Sequence, residues 1–123
     1  MSESLDYNGV YFCMTLSGHI DHVLTRTKHL RGEIFNHPEF SIPYRSLWDF
    51  RELGSTSGGL SEADFRSYMV EGGALPEKIA YVVGNDLVFG LIRQFTAVRE
   101  SEDGRLTMLL TYDMDEADRF LRS

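Results

Sequence analysis

The sequence has a single cysteine, Cys13, which excludes an internal disulfide and a cysteine-rich zinc site. It has no cluster of positive charge: 12 lysines and arginines face 19 aspartates and glutamates, a formal charge of −7, and the basic residues are scattered. Nucleic acid and anionic membrane surfaces, which both draw on gathered cations, are therefore not expected partners. No apolar run is longer than a strand. The opening Met1-Ser2-Glu3-Ser4-Leu5-Asp6 has neither a basic start nor an apolar stretch, so a secretory signal is not expected and the default compartment is the cytoplasm. Also missing are a Gly-x-Ser-x-Gly elbow, a phosphate-binding Gly-x-x-x-x-Gly-Lys loop and a Gly-x-Gly-x-x-Gly fingerprint. Nothing assembles into an enzyme active site, and no cofactor is expected.

The 123 residues suit one domain, residues 1–123, large enough to bury a core without staples. Val10, Phe12, Met14 and Leu16 alternate with Tyr11, Cys13 and Thr15, which predicts a strand over 10–17 with apolar residues on both sides, Cys13 serving as a small buried hydrophobe. Leu5 to Tyr7 reads as a short edge strand in front. Asp21 is placed to cap a helix with its inner side at Leu24, Thr27, Leu30, Ile34 and Phe35, ended by Asn36-His37-Pro38. Ser46 to Phe50 predicts the second main strand, and Gly54 to Gly59 a loop. Ser61 then caps a helix that buries Phe65, Tyr68 and Met69.

Lys78 to Val83 is the next strand, followed by a helix from Asn85 or Asp86 with Val88, Leu91, Ile92, Phe95 and Val98 inward. An interior glycine weakens a helix, so Gly90 is expected to let this one lie close on a strand. Leu106 to Tyr112 is a last strand, and Asp113 caps a last helix burying Ala117, Phe120 and Leu121. Strands and helices that alternate in this way predict an α/β fold: a four- or five-stranded, mainly parallel sheet with four helices. Ligands of such sheets gather at the carboxyl ends of the strands, near His19, Arg51 to Gly59, Gly84 to Asp86 and Asp113.

Individual residues mostly have plain explanations. His19 and His22 flank the cap Asp21 without a third ligand nearby, and read as solvated histidines rather than metal ligands. Acidic residues at Asp113, Asp115 and Glu116 suit a helix start. Asp49 stands out, since a carboxylate inside an apolar strand needs a partner. A hydrogen bond that fixes a loop is the preferred reading for it over catalysis. Arg93 is expected to hold a carboxylate near its helix.

Four segments together resemble the SpoIIAA-like branch of the STAS domains, relatives of the bacterial sporulation anti-anti-sigma factor. They are Gly18-His19-Ile20-Asp21, Leu47-Trp48-Asp49-Phe50-Arg51, the stretch Ala80 to Asp86 with Phe89-Gly90 and Arg93, and Thr111 to Ala117 closing on Phe120-Leu121. The resemblance implies a non-enzymatic interaction or regulatory module, with a protein partner and a tendency to homodimerise. Interaction residues would then include Asp49, Arg51, Asn85, Asp86 and Arg93. In the anti-anti-sigma proteins an Asp-Ser-Ser-Gly loop carries a regulatory serine. The matching loop here holds Ser55, Thr56 and Ser57 but lacks the aspartate, so a plain connector is preferred to a phospho-switch. The related lipid-binding CRAL-TRIO domains imply the alternative of a small apolar ligand in a pocket at the carboxyl edge, walled by some of Trp48, Phe50, Tyr81, Phe89, Phe95 and Tyr112.

Overall fold

The computed structural model describes residues 3–19, 23–54, 76–90, 92–93 and 107–123. Five strands form one sheet in chain order: β1 (Glu3–Tyr7), β2 (Phe12–His19), β3 (Arg45–Gly54), β4 (Lys78–Val83) and β5 (Thr107–Thr111). β1 runs antiparallel to β2, and the other pairs are parallel. The helices are α1 (Val23–Phe35), α2 (helical at residues 86–90 and 92–93) and α3 (Met114–Arg122). The protein is thus an α/β fold with a mixed, mostly parallel sheet and three helices among the described residues. The predicted cap Asp21, His22, the switch candidates Ser55, Thr56 and Ser57, the helix capped by Ser61 with Phe65, Tyr68 and Met69, and Leu91, Phe95, Val98 and Leu106 all lie outside the described residues.

A parallel strand order that follows the chain constrains where the helices go. Each right-handed crossover to the next strand on the same side passes over the same face of the sheet. Accordingly α1 brings Leu30 and Ile34, and α2 brings Val88 and Ile92, onto one apolar layer made by Phe12, Met14, Leu16, Trp48, Phe50, Tyr81 and Val83. The other face carries Tyr11, Leu47, Ala80 and Val82, and α3 covers it with Ala117 and Leu121. Of the alternation expected over 10–17, Phe12, Met14 and Leu16 lie on one side and Tyr11 on the other, but β2 begins only at Phe12 and Val10 is exposed in front of it. Cys13, expected as a buried hydrophobe, is only half-buried, packed against the second layer.

Charged groups fasten α3 at both ends. Asp113 is its N-cap, its carboxylate accepting from the Asp115 N–H. At the other end Arg45 donates to the main-chain oxygens of Leu121 (2.6 Å) and Ser123 (2.9 Å), and Lys78 to those of Phe120 (3.2 Å) and Ser123 (2.9 Å). Cations here also oppose the negative end of the helix dipole. Midway, the Tyr11 hydroxyl donates to Asp118 at 2.5 Å, and Arg122 donates to the same carboxylate at 2.8 Å.

Two expectations need correction. β3 runs to Gly54, four residues beyond the predicted Phe50, so that glycine closes a strand rather than opening a loop. Gly90 does not lie against a strand: a Cβ there would meet no atom within 4 Å, and the residue is exposed. The helix turns Val88 and Ile92 inward instead, leaving Gly90 on its outer side.

Candidate functional site

The site is built where β3, β4 and β5 end. In β3 the register against β2 shifts: Thr15 pairs with Asp49, but Ser17 pairs with Glu52, so two residues of β2 are matched by three of β3. This is a β-bulge at Phe50 and Arg51, and it reverses the alternation, since both Phe50 and Leu53 reach the same apolar layer. A bulge takes an N–H out of the ladder, and Asp49 supplies the replacement: its Oδ1 accepts from the Arg51 N–H at 3.1 Å. The same carboxylate is gripped from the side by the Arg51 guanidinium, Nε to Oδ1 and Nη2 to Oδ2, each at 2.9 Å. Such a two-pronged, charge-assisted pair answers the cost of placing Asp49 at 6% exposure. The expected partner of Asp49 therefore exists, but it fixes a bulge within the strand and not a loop. The bond to Asp49, more than any other influence, also raises the pKa of Arg51.

The neighbouring thiol responds to the same group. Burial first, and then the charges of Asp49 and Asp6, push the Cys13 pKa up, so it is held as the protonated thiol. Among the described residues no three histidines, cysteines or carboxylates come together in a way that could hold a metal ion.

β4 ends against the bulge. A Cβ on Gly84 would run into the main-chain oxygen of Arg51 and stand 3.1 Å from its carbonyl carbon, so only glycine lets the two strand ends approach this closely. Asn85 then does two jobs. Its Oδ1 accepts from the Val88 N–H at 2.9 Å, capping α2, and its Nδ2 donates to the main-chain oxygen of Leu53 at 2.9 Å, tying the helix start to β3.

One residue on, Asp86 accepts a 2.6 Å hydrogen bond from the Tyr112 hydroxyl at the end of β5. That bond is the main cause that raises the Tyr112 pKa. The tyrosine ring in turn stacks on Phe89, with centroids 5.0 Å apart and planes 1° from parallel. Tyr112 and Leu87 are nevertheless each 48% exposed. The arrangement is an aromatic platform held rigid by a stack and a hydrogen bond and left facing solvent.

Of the sequence candidates, the structure brings Asp49 and Arg51 together as an ion pair, and Asn85 and Asp86 together at the start of α2. Arg93 is exposed, two turns into α2. Trp48, Phe50 and Tyr81, named as possible pocket walls, are packed in the core. Leu87 and the stacking of Phe89 on Tyr112 had no sequence signal, since the strand order that juxtaposes them is not written in any local pattern. Away from this edge, a groove lies between α1 and β1. No helix among the described residues is long and apolar enough to cross a membrane. Compared with known proteins, the chain matches no family model, no curated protein and no solved structure.

Proposed function

We propose that the chain is a non-enzymatic interaction module of the SpoIIAA/STAS-like kind, acting in the cytoplasm, which presents the carboxyl edge of β4 and β5 to a protein partner. The observation that carries this reading is the platform of Phe89 and Tyr112. A large aromatic group with this much exposure, locked in place by Asp86, is expensive to leave in water and suits a preorganised contact surface. The alternation of strands and helices and the placing of Asn85 and Asp86 just past the end of β4 support the family reading. Trp48, Phe50 and Tyr81 are buried, so of the apolar-ligand alternative's described wall residues Phe89 and Tyr112 alone stay open to a ligand.

The test compares partner capture by the original protein with that by Phe89→Ala, Tyr112→Ala and, as a distant control, Ile42→Asp, which alters an exposed apolar residue elsewhere. A partner kept by the original and the control but lost by both platform variants supports the proposal. A partner kept equally by all four proteins removes the platform.

A further inference from the structure

Among the described residues β1 is the last strand on its side of the sheet, paired only with β2. An edge strand turns alternate N–H and C=O groups outward, and among the described residues no main-chain hydrogen bond is made to that outer side. Beside it lies an open groove of about 800 Å³, with Glu3 and Leu5 on one wall and Lys28, His29, Gly32 and Glu33 of α1 on the other. A strand added to β1 would run about 4.8 Å from it, into this space.

Gly32 is the second observation. It sits inside α1, where glycine weakens a helix by about 1 kcal/mol relative to alanine. Packing does not explain it, because a Cβ at Gly32 would meet no atom within 4 Å. Its bare backbone widens the groove. The charges choose the occupant. On the groove side β1 carries Glu3 and no cation, and Glu33 faces it across His29, whose ring nitrogens are 3.7 Å from Glu3 and 3.8 Å from Glu33, so the two carboxylates outweigh Lys28 in the groove's lining. A second copy offering its own β1 would bring like charges side by side, which weakens strand pairing.

We propose that this groove binds an extended, basic peptide, which adds to the edge strand β1 and sets lysine or arginine side chains against Glu3 and Glu33. Main-chain hydrogen bonds would supply the binding and the alternating side chains the selectivity. This site is separate from the aromatic platform and does not depend on it.

The experiment titrates the protein with three nine-residue peptides by fluorescence anisotropy: valine alternating with lysine, valine alternating with glutamate, and the lysine peptide N-methylated at alternate amides. Amide hydrogen exchange of the protein is followed alongside. The expected result is binding of the lysine peptide alone, with slowed exchange at residues 3–7. Gly32→Leu fills the groove and should weaken that binding about tenfold while melting no lower than the original protein. Glu3→Lys with Glu33→Lys should transfer the preference to the glutamate peptide. Equal binding of the N-methylated peptide, or binding indifferent to Gly32→Leu, would overturn the proposal. So would a dimer in sedimentation that Asp6→Lys dissolves, since β1 would then be occupied by a second copy.

Discussion

At the scale of single residues, the two glycines of the β4–α2 region have opposite requirements. Gly84 is held against the Arg51 carbonyl, and Gly84→Ala forces two strand ends apart, with an expected loss of about 1–3 kcal/mol. Gly90 faces open space within a helix, and Gly90→Ala should raise stability by about 0.5–1 kcal/mol. Urea denaturation of the two variants reads both values, and a common sign would show that one of these environments is misplaced. Asp49 gives a graded series. Asp49→Asn keeps an acceptor for the Arg51 N–H and weakens only the charged pair, for a cost of about 1 kcal/mol. Asp49→Ala strands both the bulge N–H and the guanidinium, and should cost about 2–3 kcal/mol. Thermal melts that place the two variants together would reject the bulge-capping role.

At the scale of elements, α2 depends on one side chain. Asn85→Ala removes the cap and frees the Leu53 oxygen, an expected cost of about 1–2 kcal/mol, whereas Asn85→Ser retains a cap and loses only the link to β3. Denaturation midpoints should fall in the order original, serine, alanine. The sequence located these elements because each main strand alternates and each helix start carries a polar cap: Asp113 and Asn85 were both legible for that reason. The end of β3 was not. A bulge reverses the side-chain alternation, so Glu52 and Leu53 break the pattern that would have extended the strand past Phe50. The site was legible only in part. Asp49 drew attention as a carboxylate among apolar residues, but nothing local reveals that Arg51, two positions away, folds back onto it. The platform was hidden because Phe89 and Tyr112 meet only through the pairing of β4 with β5.

At the scale of the whole molecule, the bond between Tyr11 and Asp118 ties α3 to the sheet and sets a pH range for stability. Burial, followed by the bond to Asp118, pushes the Tyr11 pKa up from 10.0 to about 12. Between these values the unfolded chain gives up a proton that the folded protein keeps, so the stabilisation is complete below pH 10 and is lost as pH rises toward 12. Asp118 has the opposite sign. The bonds from Tyr11 and then Arg122 hold its carboxylate below the ordinary 3.8, so its contribution is present above that value and is lost as pH falls through the lowered one. Tyr11→Phe should flatten the alkaline decline in a comparison of melting temperatures across pH 8 to 12. The same fall in both proteins would exclude this bond as its cause. Among the described residues, the second face of the sheet is covered by a helix that the chain supplies only after all five strands. On the ribosome, Leu47, Ala80 and Val82 are thus made well before the residues that cover them. Until Ala117 and Leu121 emerge, that layer stays open to chaperones or to premature contact with other nascent chains.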